Sequence, residues 1–172
     1  PPCFNYFVFT GYMTFLVDYK APYVFSCFNH TIFDMQVLSH ELGHAFAGYQ
    51  AMRHQPISAY YSESTDIAEI HSMSMEQFAY PYAEQFFGKD ADKYRFAHLQ
   101  EAITFVPFGV AVDEFQHIVY VHPELTPKER TYEWHKLEEK YMPWRKYEDD
   151  EFMERGGYWY HKLHIYLYPF YY

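Results

Sequence analysis

The sequence feature that most constrains this chain is the segment His40-Glu41-Leu42-Gly43-His44. Positions i and i+4 lie one above the other on the same face of an α-helix, so His40 and His44 can direct two imidazoles at one metal ion. Glu41 follows the first histidine and can accept a proton from a water molecule that the metal activates. This HExxH pattern is typical of zinc hydrolases.

The residues around this pattern, from Val37 to Ala47, are mostly apolar. A helix that is apolar on all sides is expected to be buried. Two histidines and a glutamate are costly to bury without a partner, because they lose their hydration. The sequence therefore favours a metal site over histidines that are satisfied inside a core, and the predicted metal is Zn²⁺.

A zinc site of this kind needs a third protein ligand. A metzincin would carry Gly and His three and six residues after His44, where this chain has Ala47 and Gln50, so that class is excluded. A peptide deformylase would use an upstream cysteine, but Cys27 lacks the surrounding motif. The remaining common arrangement is a glutamate on a following helix.

A second helix is predicted from about residue 63 to residue 87. Asp66, Glu69 and Glu76 share one of its faces. Glu63, Glu69 and Glu76 are candidates for the third ligand, and Glu69, in the middle of the acidic face, is the predicted one. Asp66 and Glu76 are candidates for hydrogen bonds that orient the ligand imidazoles.

Length and composition limit the class of protein further. The 172 residues predict a single domain with enough mass to bury a core. The aromatic content of 23% predicts a dense core, a large peptide-binding surface or both. The formal net charge of −10 argues against nucleic acid and against an anionic membrane surface as partners. The two cysteines, Cys3 and Cys27, are too few for a disulfide framework, which favours a reducing compartment and a cytoplasmic location.

The pattern along the chain predicts a mainly α fold with a small N-terminal β hairpin. The β-branched and aromatic residues at 11–28 indicate two strands, with Pro22 suited to an edge strand. Residues 35–172 are predicted to be mostly helical. They contain the helix with the HExxH pattern, the acidic helix, and further helices at about 90–121, at about 126–141 and from about 148 onward. Residues 1–10 match no pattern.

Two segments together carry a family resemblance. Residues 40–46, followed by residues 63–76, resemble the oligoendopeptidase F branch of the thimet oligopeptidase-like zinc metallopeptidases. Shorter segments are also similar to this family, at residues 18–22, 87–94, 108–117, 154–157, 164–165 and 169–172. The resemblance covers the chain from about residue 11 to its end and implies a zincin-like helical catalytic core.

This resemblance implies a zinc-dependent endopeptidase that hydrolyses short peptides. It implies Glu69 as the third zinc ligand and Glu41 as the general base. It also implies that His164, Tyr168 and Tyr172 hydrogen-bond the oxyanion that develops from the scissile carbonyl. Family members are several times longer and have a helical portion that closes one wall of the substrate channel, so this chain resembles the catalytic core alone. Residues 158–172 are accordingly expected to form a helix against the HExxH helix, with His164 facing the metal.

Two other functions remain open. One is a catalytically weak or inactive zinc-stabilised core that binds peptides, and the other is a non-peptidase HExxH hydrolase that acts on a small amide. The presence of Glu41 favours catalysis, because a purely structural zinc site has no need of a base. Cleavage specificity and oligomeric state are not indicated by the sequence.

Overall fold

The computed structural model describes residues 11–62, 64–168 and 170. The chain forms two compact units, one ending at Phe96 and the next beginning at Ala97. Among the described residues, helices dominate and one two-stranded sheet is present. The predicted fold class, mainly α with a small β hairpin, is confirmed.

The hairpin consists of strand β1, Gly11–Leu16, and strand β2, Ala21–Ser26. The strands are antiparallel, with Gly11 opposite Ser26 and Leu16 opposite Ala21. A 3-10 turn at Val17–Tyr19 connects them, and Lys20 closes the turn in the left-handed region at φ 47°. In a two-stranded sheet each strand has a free edge, so the missing N–H of Pro22 is tolerated in β2.

Helix α1, Phe33–His54, carries the HExxH pattern, and helix α2, Thr65–Phe78, packs beside it. The expectation that α1 is buried on all sides is wrong. Leu42, Phe46 and Tyr49 are between 42% and 57% exposed, whereas small residues such as Gly43 and Ala45 are buried. The hairpin and α2 contact α1 on its small-residue surfaces, and its larger apolar side chains remain on the outside.

The predicted single helix over residues 63–87 is interrupted. Helix α2 ends at Phe78, a 3-10 turn spans Tyr80–Tyr82, and a short helix α3 spans Ala83–Phe87. Pro81 explains the break, because proline lacks the N–H that would continue the helical hydrogen bonds. Ala83 and Tyr94 then belong to a small buried cluster in the first unit.

The core of the second unit lies between helix α4, Ala91–Val121, and helix α5, Pro127–Tyr141. Phe115 of α4 meets Trp134 of α5 edge to face, with ring centroids 5.3 Å apart. Helix α5 begins with the predicted capping box, in which the Glu129 N–H donates to the Thr126 hydroxyl and the Thr126 N–H donates to the Glu129 carboxylate. Both helices match the predicted ranges closely.

The predicted last helix is divided into short pieces: α6, Glu151–Glu154, a 3-10 segment, Gly157–His161, and α7, Leu163–Leu167. Gly156 separates the first two at φ 95°. A Cβ atom on Gly156 would lie 2.3 Å from the Thr131 carbonyl oxygen of α5, so only glycine permits this close packing.

Two further sequence expectations concern location. No helix in the part of the chain that the structure describes is both long and apolar enough to cross a membrane. Cys27 is disulfide-bonded, which does not fit the expectation of a reducing compartment. A cytoplasmic location therefore remains a proposal without support from cysteine content.

Candidate metal centre

Three side chains from α1 and α2 converge at one point in the first unit. His40 Nε2 lies 3.2 Å from His44 Nε2 and 3.1 Å from Glu69 Oε2. His44 Nε2 lies 3.7 Å from the same carboxylate oxygen. One ligand atom from each residue lies within 4.8 Å of the others. The structure thus brings together the three residues predicted to bind the metal.

The spacing of these three atoms fits a tetrahedral metal ion. Zinc bonds of about 2.0–2.1 Å at tetrahedral angles place neighbouring ligand atoms about 3.3 Å apart. The three observed separations, 3.1, 3.2 and 3.7 Å, lie around this value. Two imidazole nitrogens with one carboxylate oxygen also form a donor set that zinc hydrolases use, and that set leaves a fourth position open.

Gly43 allows α2 to pack closely enough against α1 to place the Glu69 carboxylate beside His40 and His44. A Cβ atom at Gly43 would lie 2.6 Å from the His71 carbonyl oxygen and 2.6 Å from Ser72 Cα. Any larger residue would push the two helices apart. The glycine between the two histidines is therefore part of the geometry that brings the three candidate ligands together.

Two neighbouring residues hydrogen-bond the candidate ligands and fix their orientation. Glu76 Oε1 lies 2.6 Å from His40 Nδ1, so the Glu76 carboxylate accepts a hydrogen bond from the Nδ1–H group and leaves Nε2 to face the metal position. The Ser72 hydroxyl donates to Glu69 Oε2 at 2.8 Å. Glu76 was a sequence candidate for such an orienting role, whereas Ser72 was missed. Its position three residues after Glu69 on a helix was the available signal.

The two histidines have opposite pKa shifts. Burial disfavours the charged form of His40, but hydrogen bonds to Glu69 and Glu76 outweigh burial and raise its pKa to about 9. Burial lowers the pKa of His44; the charge of Glu69 offsets part of this effect, and the charge of His40 lowers the pKa again. In the metal-free protein His40 is therefore the protonated member of the pair at neutral pH.

Glu41 follows His40 on α1 and is half-buried. Burial raises the pKa of its carboxyl; His40 lowers that pKa and Glu69 raises it further. A carboxylate whose pKa is raised is a stronger base than an ordinary surface glutamate. This environment suits a residue that must accept a proton near neutral pH.

Zinc uptake by the metal-free protein is expected to release a proton from His40. At about pH 8, between the ordinary value of 6.5 and the raised value of about 9, His40 is mostly protonated and must become neutral to bind the metal. Removing the charge of Glu76 lowers the pKa of His40, so Glu76→Gln should release a smaller number of protons at this pH. Calorimetric titration in buffers of different ionisation enthalpy counts the protons, and equal counts for both proteins would contradict the role of Glu76.

Of the other predicted site residues, some lie outside the described part of the chain and two belong to the second unit. Glu63, Tyr172 and the side chain of Asp66 lie outside the described residues. His164 and Tyr168 belong to the second unit, where their rings are 6.4 Å apart. In the described part of residues 158–172, the predicted helix is divided into the 3-10 segment Gly157–His161 and α7, Leu163–Leu167. The expected packing of this segment against the HExxH helix, with His164 facing the metal, remains a prediction.

Two histidines of an HExxH helix with a glutamate from the next helix are the arrangement found in metallopeptidases of the HExxH class. Within that class, the sequence model of Peptidase family M3 matches residues 7–172. The chain therefore belongs to peptidase family M3, as the resemblance had indicated. No curated protein sequence matches the chain at a significant level.

Three solved structures are similar to this chain. A protein assigned as an oligoendopeptidase F is 54% identical, with a TM-score of 0.90, over 94% of this chain and 28% of its own. Pz peptidase A with an inhibitor is 49% identical, with a TM-score of 0.90, over 94% of this chain and 29% of its own. An oligoendopeptidase F assigned in Bacillus anthracis is 50% identical, with a TM-score of 0.73, over 77% and 24%. The chain thus spans less than a third of the length of these relatives.

Proposed function

We propose that this chain is the catalytic core of a zinc-dependent endopeptidase that hydrolyses short peptides. The observation that carries the proposal is the convergence of His40, His44 and Glu69 with their ligand atoms within 4.8 Å. Membership of peptidase family M3 and the similarity to an oligoendopeptidase F and to Pz peptidase A support the reaction class.

His40, His44 and Glu69 would hold the zinc ion. When bound, zinc supplies a Lewis acid and a water molecule whose pKa is about 7. Glu41 would accept the proton of the attacking water and later donate it to the leaving amine of the cleaved peptide. Its half-buried position and raised pKa support this double role.

The residues proposed to stabilise the oxyanion are His164, Tyr168 and Tyr172. This assignment rests on the family resemblance of residues 164–165 and 169–172. An imidazole and phenol hydroxyls donate hydrogen bonds, and removal of one such donor typically lowers the rate about a hundredfold or more. Substitution of His164 with Ala should therefore lower kcat much more than it raises KM, if the residue acts on the transition state.

The chain is proposed to act on short, unstructured peptides. The chain covers 28% of the length of the oligoendopeptidase F to which it is 54% identical. The exposed apolar residues Leu42 and Phe46 of α1 leave the surface around the HExxH pattern open. An open site holds a substrate in fewer contacts, which predicts weak turnover.

Cleavage is expected for flexible peptides and not for folded proteins. Zinc-loaded protein would be incubated with a mixed peptide library and, in a parallel reaction, with folded proteins that contain the same sequences, and products would be identified by mass spectrometry. Equal cleavage of both substrate sets would contradict the restriction to short peptides. Absence of cleavage in both would favour the alternative function, a zinc-stabilised core that binds peptides without turnover.

The alternative function, a zinc-stabilised core without turnover, is retained because the chain covers only part of the length of its relatives. A catalytic site completed by residues beyond the matched 28% would bind zinc here but fail to turn over substrate. Tight peptide binding by the zinc-loaded protein, with intact peptide recovered after long incubation, distinguishes this alternative from slow catalysis.

A further inference from the structure

The stretch of chain between Ile165 and Phe170 carries Tyr168, one of the proposed oxyanion donors, and it is anchored in the second unit at both ends. At one end, Ile165 is 9% exposed and belongs to the buried core of this unit. Helix α7 ends at Leu167, and the Tyr168 N–H donates to the His164 carbonyl oxygen at 2.9 Å. Tyr168 thus lies just past the last helical turn, where a chain frays unless a further contact holds it.

Phe170 provides this further contact, in a backbone conformation that phenylalanine rarely adopts. Its φ of 56° lies in the left-handed region, which is strained for a bulky residue and persists only where surrounding contacts enforce it. Its ring packs against two rings of α4, with centroids 4.9 Å from His117 and 5.4 Å from Tyr120. Its N–H donates to Gln116 Oε1 at 3.2 Å. Three neighbouring residues of α4 therefore hold Phe170 in place.

Gln116 is almost fully buried, at 1% exposure. Its Oε1 atom faces the Phe170 N–H, because a reversed amide would place two donors against each other. Among the described residues, Gln116 Nε2 has no hydrogen-bond partner. A buried donor without a partner is unfavourable, and an apolar side chain of the same size would avoid it. The contact with Phe170 is therefore what distinguishes Gln116 from an apolar residue in this buried position.

We propose that Gln116 is a positioning residue for peptide hydrolysis, which acts by holding Phe170 and thereby Tyr168. The inference rests on the proposed function, in which His164 and Tyr168 donate hydrogen bonds to the oxyanion. Such a donor stabilises the transition state only when it is held where the charge develops, and a misplacement of about 1 Å can lower the rate about a hundredfold. Because Gln116 is buried, it acts through this segment and not on the substrate.

Gln116→Met separates positioning from stability. Methionine fills nearly the same volume, but it removes both the oxygen that accepts from the Phe170 N–H and the donor without a partner. Phe170 is 43% exposed, so water can take over its N–H. We expect the Tm of this variant to be unchanged or higher, because an unpaired buried donor is lost. With zinc-loaded protein and a short peptide, kcat should fall about tenfold or more while KM changes little.

Val112→Ala is the matched control. Val112 lies one turn before Gln116 on α4 and is fully buried in the core of the second unit. Its truncation leaves a cavity, so the Tm should fall. The kcat should stay unchanged, because no contact of Phe170 is removed. The two variants are thus expected to show opposite patterns of stability and turnover.

Two further measurements test the contact itself. The exchange of the Phe170 amide hydrogen, followed by NMR, does not depend on catalysis and should be about tenfold faster or more in Gln116→Met than in the unaltered protein. Phe170→Ala removes the ring contacts with His117 and Tyr120 from a partly exposed position, and it should lower kcat in the same way. This second variant keeps the proposal testable if Gln116→Met does not fold.

Unchanged kcat in folded Gln116→Met or in Phe170→Ala, while His164→Ala loses activity, would overturn the inference and leave the proposed function in place. Equal amide exchange in Gln116→Met and the unaltered protein would also overturn it. A loss of kcat shared by Val112→Ala would assign Gln116 a merely structural role and overturn it as well. Absence of cleavage by the unaltered zinc-loaded protein would contradict the proposed function and the inference with it.

Discussion

Replacement of Glu41 with glutamine is expected to abolish peptide cleavage while zinc content and fold are retained. The amide has nearly the shape of the carboxylate but cannot accept a proton from the attacking water. General-base catalysis contributes about 10²–10⁴-fold, so the rate should fall by at least that factor. Glu41 supplies none of the three ligand atoms that converge on the metal position, so zinc binding should persist.

The measurement combines three observables: cleavage rate, zinc per chain by elemental analysis and the circular dichroism spectrum. Glu139→Gln is a suitable control, because Glu139 is an exposed residue on α5 whose carboxylate interacts with a histidine on the same helix. Comparable cleavage by Glu41→Gln and the unaltered protein would remove Glu41 from the mechanism. Loss of zinc in this variant would instead assign Glu41 a ligand role.

Replacement of Glu69 with alanine is expected to remove most of the zinc affinity. This change deletes one of the three atoms that surround the metal position and leaves the Ser72 hydroxyl without its carboxylate partner. Glu76→Ala should have a smaller effect, because Glu76 acts through His40; loss of such an orienting partner typically lowers metal affinity about 10–100-fold.

Competition with a zinc chelator of known affinity ranks these variants. The expected order of affinity is the unaltered protein, then Glu76→Ala, then Glu69→Ala. Glu63→Ala, the third sequence candidate, should bind zinc like the unaltered protein. Full zinc content in Glu69→Ala, combined with loss in Glu63→Ala or Glu76→Ala, would show that the third ligand was misassigned.

The parts of the fold that could be predicted from the sequence depend on local chemistry. The capping box at Thr126 and Glu129 satisfies the helix N-terminus within four residues, so α5 was placed correctly. The hairpin follows from its β-branched and aromatic strands and its short connection. The break at Pro81 was equally local, and the helix prediction over residues 63–87 failed because the continuous apolar and acidic pattern was given more weight than the proline.

The parts that could not be predicted depend on tertiary contacts. The i, i+4 spacing indicated that His40 and His44 share a face, but their pairing with Glu76 and Glu69 depends on the close packing that Gly43 allows. The exposure of Leu42 and Phe46 depends on which sides of α1 are covered.

The aromatic surplus predicted a dense core, a large surface or both, and the structure contains aromatic residues in both places. Trp134 and Phe115 are fully buried in the second unit, whereas Tyr19 is 80% exposed and Phe78 is 69% exposed. Composition alone could not apportion these residues between core and surface, because their burial depends on which helices are neighbours. Whether the exposed aromatics bind peptide remains a prediction.

The central claim, that a zinc ion held by His40, His44 and Glu69 supports peptide hydrolysis, is tested most directly by titrating metal-free protein with zinc while following cleavage of a short peptide. The account predicts that activity rises in proportion to added zinc and reaches its plateau at one zinc per chain, and that Glu69→Ala stays inactive over the same range. Full activity in the metal-free protein, or no activity at any zinc ratio, would contradict it.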